Sequence, residues 1–140
     1  VIEHLYDPKE FLYWCFSKLN SGGCLYLTCP NIQGFETTVL GKESETVDHE
    51  HINLFNTSSI KTMVENVGFE KVIVSTPGVL DFDIVKQSYL SKNINENRLG
   101  PFLHRLIESE SLEAEQEFQE YLIKSNNSSH MMLIAYKPVL

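Results

Sequence analysis

The segment Cys24-Leu25-Tyr26-Leu27-Thr28-Cys29-Pro30 is nearly continuous in apolar residues. A run of this length is typical of a strand that is covered on both faces, as in a parallel sheet. Helical spacing of apolar residues precedes and follows it, and strand-like segments return at residues 70–76 and 130–137. Strands that alternate with helices predict an α/β fold with a largely parallel sheet and helices on its faces.

Helix-boundary signals lie where this alternation needs them. Asp7-Pro8 predicts a helix start, because aspartate caps a helix and proline suits its first position. Gly22-Gly23 predicts the end of that helix. Thr57 or Ser58 is expected to cap the next helix.

Residues 80–124 show helical spacing with a polar composition, which predicts several helices before the last strand. Their glutamate-rich part, from Glu108 to Glu120, is interpreted as a solvated helix face. At the other end of the chain, Val1-Ile2-Glu3-His4 is interpreted as the end of a buried strand. The chain is therefore expected to be the later part of a longer α/β domain.

The composition excludes some classes of partner. The chain has 140 residues, with 19 acidic and 11 basic side chains and a net charge of −8. This balance argues against nucleic-acid and anionic membrane surfaces, since both are bound by lysine and arginine. The three cysteines, Cys15, Cys24 and Cys29, form no metal-binding pattern. They are interpreted as reduced core residues of a cytoplasmic protein.

Several motifs resemble class I S-adenosylmethionine-dependent methyltransferases, in their order and in their spacing. The resemblance extends over nearly the whole chain. The motifs are Ile2-Glu3-His4-Leu5-Tyr6-Asp7-Pro8, Leu19-Asn20-Ser21-Gly22-Gly23, Leu27-Thr28-Cys29-Pro30-Asn31, His49-Glu50-His51-Ile52-Asn53-Leu54-Phe55 and Val67-Gly68-Phe69.

The resemblance implies a Rossmann-like sheet whose last strand is antiparallel and lies between the fifth and sixth. Residues 1–140 are then a single truncated domain, the C-terminal half, with the end of strand four and strands five, six and seven. The antiparallel strand, residues 130–137, is expected between residues 24–29 and 70–76. Residues 80–124 are expected to be a helical insertion.

The same resemblance implies methyl transfer from S-adenosylmethionine to a small-molecule acceptor, in the ubiquinone- and menaquinone-methyltransferase-like branch. Ile2, Glu3 and His4 are then expected beside the cofactor. The seven glycines form no G-x-G loop, and such loops supply the backbone amides that hold the cofactor. The chain alone is therefore expected to bind the cofactor poorly and to be inactive.

Candidate catalytic residues come from the long connection after the first strand. His51, ahead of His49, is predicted to be a general base, because imidazole titrates near neutral pH. The alternative is that one histidine caps or orders the loop and the other is exposed, and a metal site would need Asp48 or Glu50 as a third ligand. Asn31, Asp48 and Phe55 are predicted to contact substrate, although Asn31 also suits a turn and Phe55 a contact before the next helix. No metal site is predicted.

A second hypothesis makes the chain a non-catalytic interaction or structural domain derived from a methyltransferase. A half sheet exposes an edge with unpaired backbone groups, and such edges promote association. A homodimer or strand exchange through this edge is therefore expected.

Overall fold

Helices and strands follow one another largely in the order that the apolar spacing predicts, but a short helix, Phe35–Leu40, lies in the segment that was predicted to be a long connection. The computed structural model describes residues 1–94 and 98–139. None of the helices in this described part has the length and apolar character needed to span a membrane. The helices are α1 (Pro8–Lys18), α2 (Phe35–Leu40), α3 (Thr57–Val67), α4 (Asp81–Leu90), α5 (Gly100–Glu108) and α6 (Leu112–Lys124), and the strands are β1 (Cys24–Pro30), β2 (Glu70–Ser75) and β3 (His130–Tyr136).

The strands form a sheet of order β1-β3-β2 in the described residues. β3 is antiparallel to both neighbours, and Leu133 lies opposite Leu27 on one side and Val74 on the other. The predicted insertion of an antiparallel last strand between the other two is confirmed. The expected parallel pairing is wrong for these strands: β1 and β2 run in the same direction, but β3 separates them.

The first residues do not form the predicted strand end. Ile2–His4 is a 3-10 helix. The backbone N–H of Asn53 donates to the carbonyl of Glu3 over 3.0 Å, and its side-chain amide donates to the carbonyl of Leu5 over 2.6 Å. These carbonyls are therefore bound by the loop that contains Asn53 rather than by a neighbouring strand.

The main core lies between one face of the sheet and the helices α1 and α3. Leu12 of α1 and Ile60 and Val64 of α3 are fully buried and belong to the same apolar cluster as Met131 and Leu133 of β3. Burial of aliphatic side chains at this density is the main source of stability in a domain of this size. This packing fixes where β1 and β2 end, and so where the loops beyond them lie.

A second apolar cluster joins the α2 region to the three helices before β3. It contains Leu40, Phe82, Val85 and Ile107, all buried. The helical prediction for residues 80–124 is confirmed by α4, α5 and α6, while residues 95–97 lie outside the described residues. These helices therefore have a core of their own that reaches the loop after β1.

Two helix-boundary predictions can be compared with the observed caps. The carboxylate of Asp7 accepts the backbone N–H of Glu10 over 2.8 Å, which confirms the predicted start of α1. The cap of α3 is Asn56 rather than Thr57 or Ser58, because its side chain accepts from two backbone amides while Ser59 bonds back to it. This reciprocal pair is a capping box.

The three cysteines are free, but they do not share one environment. Cys29 is buried, Cys15 is half-buried and Cys24 is exposed. The interpretation of all three as core residues is therefore wrong for Cys24, which begins β1 opposite Tyr136, the last residue of β3.

Candidate functional site

The loop between α2 and α3 brings histidines to the 3-10 helix at the start of the chain. The rings of His51 and His4 lie with their centroids 4.7 Å apart. Nδ1 of His4 lies 2.9 Å from the carbonyl oxygen of Glu50. Residues that are nearly fifty positions apart in sequence thus form one polar cluster, as their predicted functional roles require.

Asp48 organises this loop. Its Oδ1 accepts the backbone N–H of Glu50 over 2.7 Å and that of His51 over 2.9 Å. These hydrogen bonds, with the nearby His51 and His49 side chains, hold the pKa of the Asp48 carboxyl below its ordinary value. Asp48 is therefore suited to hold a negative charge beside His51.

The side chain of His51 is close to Asp48 without a fully formed hydrogen bond. Its Nδ1 lies 3.1 Å from Oδ1 of Asp48. This nitrogen is buried and has no aligned hydrogen-bond partner among the described residues. Catalytic hydrogen bonds are often poorly aligned before substrate binds. A small rotation of the ring would pair Nδ1 with the carboxylate.

Glu3 completes the cluster. Its Oε1 lies 3.7 Å from Nε2 of His4. Glu3, His4 and His51 each offer one donor atom, and the three atoms lie within 4.8 Å of one another. Two imidazoles and a carboxylate at this spacing are a donor set that a divalent transition metal accepts.

The remaining predicted site residues lie apart from this cluster or inside the protein. His49 is exposed. Ile2 and Phe55 are 1% and 6% exposed and belong to the main core, and Phe55 also lines a narrow cleft with Glu3 and His51. Asn31 is buried, and its amide donates to the carbonyl of Ser128 over 3.0 Å. The catalytic role of His49 and the substrate or cofactor roles of the other three residues stay predictions.

A cavity of about 420 Å³ opens where β1 and β2 end. Pro30, the last residue of β1, lines one side, and Pro77, two residues after β2, lines another. Ser129, which precedes β3, also lines it. In open α/β sheets ligands bind at the carboxyl ends of the strands. The cavity has a volume suited to a small organic molecule.

Glu36 of α2 is a buried carboxyl in the lining of this cavity. It is 5% exposed, and the hydroxyl of Thr37 donates to its Oε2 over 3.2 Å. Burial raises the pKa of Glu36, hydroxyl groups of Ser44 and Thr37 offset part of this effect, and the charge of Asp81 adds to it. Functional sites often contain a buried acidic side chain with a raised pKa that lines a cavity.

Asp81, the first residue of α4, is the second buried carboxylate of the lining. Its Oδ2 accepts the hydroxyl of Ser128 over 2.6 Å, and its Oδ1 accepts the backbone N–H of Ser129 over 2.6 Å. The side-chain amide of Gln119 donates to Oδ2 over 3.2 Å. Asp81 thereby joins α4 and α6 to the start of β3.

The cavity adjoins the histidine cluster. Pro30 and Thr46 line the cavity and also line a narrow cleft that contains Glu3 and His51. The cavity and the cleft that contains His51 therefore share part of their walls.

Glu36 and Asp81 are absent from the sequence-based candidates. Each is the sixth residue after a strand, Glu36 after Pro30 and Asp81 after Ser75. An acidic residue shortly after the carboxyl end of each strand was the signal that could have identified both.

A protein-family model matches part of this chain. The model of the family described as a methyltransferase domain matches residues 1–74, which is more than half of the chain. No curated protein matches the chain. The matched part contains α1 to α3, β1 and β2 up to Val74, and it includes the histidine cluster.

Solved structures share the fold. Haemonchus contortus phosphoethanolamine N-methyltransferase 2 in complex with S-adenosyl-L-methionine is 17% identical, with a TM-score of 0.56 over 99% of this chain and 31% of that chain. The same enzyme with phosphomonomethylethanolamine and S-adenosylhomocysteine is 18% identical, with a TM-score of 0.56 over 98% of this chain and 32% of that chain.

An Archaeoglobus fulgidus protein described as a SAM-dependent methyltransferase is 20% identical, with a TM-score of 0.54 over 97% of this chain and 55% of that chain. The chain thus spans about a third of the Haemonchus enzyme and about half of the Archaeoglobus protein. At these identities the structures establish the shared fold. Together with the family match over residues 1–74, they show that the chain belongs to the methyltransferase domain family.

Proposed function

We propose that this chain is the acceptor-side half of an enzyme that methylates a small molecule with S-adenosylmethionine. The observation that carries the proposal is the cavity at the ends of β1 and β2, which adjoins His51 in a chain of the methyltransferase family. The chain is then the C-terminal half of the parent domain, with residues 80–124 as a helical insertion. Its place in the ubiquinone- and menaquinone-methyltransferase-like branch rests on the order of the sequence motifs.

S-adenosylmethionine, when bound, supplies a methyl group on a positively charged sulfur, which a nucleophile attacks directly. The residues described here fit only one side of such a ligand. We propose that Glu3 and His4 contact this side, while Ile2, which is buried in the core, supports them. Because the chain contains no G-x-G loop, we propose that most cofactor contacts come from outside it and that the chain alone is inactive.

In this proposal His51 accepts the proton that the acceptor group loses. Asp48 positions His51, because its carboxylate accepts the backbone N–H of that residue and lies 3.1 Å from its Nδ1. With Nδ1 directed at Asp48, Nε2 is the nitrogen that accepts the proton. A positioned general base typically accelerates a reaction by about 10² to 10⁴-fold.

The test is methyl transfer by the full-length product of the gene. Transfer of a labelled methyl group from S-adenosylmethionine to a panel of small hydroxyl- and amine-bearing acceptors is expected. His51→Gln should lower the rate by about 10²-fold, whereas His104→Gln, in α5 beside Tyr89, should leave it unchanged. Absence of transfer to every acceptor, or equal rates in both variants, would contradict the proposal.

A non-catalytic role as an interaction domain is the alternative, and the open face of the sheet favours it. Tyr26 and Ile73 are 59% and 62% exposed and lie on either side of Ile134 in one row across that face. Self-association through this face or the adjacent strand edges would cover them. Light scattering should then give a dimer mass that Ile73→Lys reduces to a monomer.

The free cysteines bear on the compartment. Three unpaired cysteines are usual in proteins of reducing compartments. We propose a cytoplasmic location on this ground.

A further inference from the structure

We propose that the cavity at the ends of β1 and β2 binds the cationic amine group of an organic ligand, and that Glu36 supplies the charge that recognises it. This inference deepens the proposed function, on which it rests, by assigning the acceptor to the class of organic amines. It depends on the burial of Glu36, on the charges around the cavity and on the apolar character of the cavity walls.

Among the described residues, Glu36 forms no ion pair with a lysine or arginine, and none of these side chains lines the cavity. His130 contributes the imidazole in the lining. Two basic side chains of the helical part are used elsewhere: Lys86 pairs with Glu115, and Arg98 donates to the carbonyl of Leu40. Ionising a buried carboxyl without a counter-ion is unfavourable. A ligand cation would provide the missing charge.

Asp81 increases the preference for a cation. Its bonds come from neutral groups, namely the hydroxyl of Ser128, the backbone N–H of Ser129 and the amide of Gln119. Its negative charge acts on Glu36 across the cavity lining. Two acidic side chains that share one cavity attract a positive charge more strongly than either does alone.

The walls favour an organic cation over a metal ion. Pro77, Val79, Leu80 and Ile84 line the cavity beside the two carboxyl groups. Hard metal ions are held by six or more oxygen atoms, many of them from water, and apolar walls do not supply these. An alkylammonium group instead presents methylene or methyl groups to such walls and its charge to the carboxylates.

The position of the cavity gives the bound amine a chemical role. An amine must lose its proton before its nitrogen can attack a methyl group. His51 lies in the cleft that shares Pro30 and Thr46 with the cavity. Glu36 thus recognises the cationic form, and His51 is placed to accept the proton that the nitrogen releases.

The test uses the 140-residue chain and two probes of matched shape. Choline carries a quaternary ammonium group, and 3,3-dimethylbutan-1-ol has the same outline with carbon in place of nitrogen. Choline cannot accept a methyl group, so it reports binding alone. In calorimetric titrations, choline is expected to bind at least tenfold more tightly than the neutral alcohol.

Two variants of equal charge test the role of Glu36. Glu36→Gln keeps the shape and the bond from Thr37, and it should weaken choline binding at least tenfold. Glu113→Gln removes an exposed charge from α6, outside the cavity lining, and should leave binding unchanged. Far-ultraviolet circular dichroism of both variants checks that they fold. If a variant does not fold, the comparison of choline with the alcohol on the unaltered chain still tests the inference.

Several results would overturn the inference. They are no choline binding at millimolar concentration, equal binding of the alcohol, equal effects of the two variants, or displacement of choline by calcium at the same site. Because no cofactor is present in these titrations, they are independent of methyl transfer. If the full-length protein methylates hydroxyl acceptors and the 140-residue chain does not bind choline, the amine inference is wrong. The proposed methyltransferase function would then still stand.

Discussion

Nζ of Lys86 lies 2.6 Å from Oε1 of Glu115, and this ion pair joins α4 to α6. The side chain of Glu115 is 7% exposed, while that of Lys86 is 24% exposed. Removing one partner of a buried pair leaves an uncompensated charge, but Lys86 retains some access to water. We therefore expect Glu115→Gln to lower the free energy of unfolding by about 1–2 kcal/mol in urea titrations.

Glu117 provides the matched control for this pair. It lies in the same helix and is exposed, so Glu117→Gln changes the net charge equally. Its effect should stay within about 0.5 kcal/mol. Equal losses in the two variants would mean that net charge, rather than the contact with Lys86, determines the effect.

Glu36 should make stability depend on pH. Burial raises the pKa of its carboxyl in the folded state above the ordinary value of 4.5. The folded state therefore binds the proton more tightly than the unfolded state, and stability falls as pH rises from about 4.5 through the raised pKa. Glu36→Gln does not titrate, so at pH 7 its Tm should exceed that of the unaltered chain by about 3 °C.

The most informative observation is how the difference in Tm between Glu36→Gln and the unaltered chain changes with pH. The advantage of Glu36→Gln should shrink at pH 4, where Glu36 is protonated in both states. A variant that is more stable at neutral pH but binds choline less well would be typical of a residue kept for function rather than stability. A difference in Tm that is the same at both pH values would contradict the account of burial.

The three cysteines should react at different rates. Cys24 is exposed, whereas burial raises the pKa of the Cys15 thiol, and burial with the nearby Glu3 charge raises that of Cys29 to about 12. Since the thiolate is the reactive form, iodoacetamide at pH 8 should modify Cys24 first and Cys29 only after unfolding. Peptide mass spectrometry can follow each site, and early modification of Cys29 would show that the core opens.

Asp48 should act on the rate through His51. In the full-length protein we expect Asp48→Asn to lower kcat about tenfold, with little change in KM, because the variant loses the charge that positions the imidazole. The pH profile of kcat should change as well, which a purely structural loss would not produce. Glu50→Gln, an exposed neighbour, is the control, and a loss of the same size in it would argue against a specific role of Asp48.

The strand arrangement could be predicted because its signals are local or motif-like. The apolar run of β1, the cap Asp7 and the placement of β3 all follow from short segments or from the resemblance. The residues Ile2–His4 could not be assigned in this way. Their apolar and acidic residues suit the end of a strand, but a strand also needs a hydrogen-bonded neighbour. Here the carbonyl of Glu3 accepts the backbone N–H of Asn53 from a loop instead.

For the functional side chains, too, only contacts between residues close in sequence could be predicted. The pairing of Asp48 with His51 is local and lay within one predicted loop. Glu36 and Asp81 lie far apart in sequence and meet only through the packing of α2 against α4. Glu115 looked solvated because its partner, Lys86, is 29 positions away on another helix. Burial of a charged residue depends on such distant contacts, which residue spacing does not reveal.

We propose that this chain is the acceptor-side half of a methyltransferase. The most direct measurement is calorimetric titration of S-adenosylhomocysteine into the full-length gene product and into the 140-residue chain. Micromolar binding by the full-length protein, with none by the chain alone, is the predicted result. Equal binding by both, or binding by neither, would contradict the account.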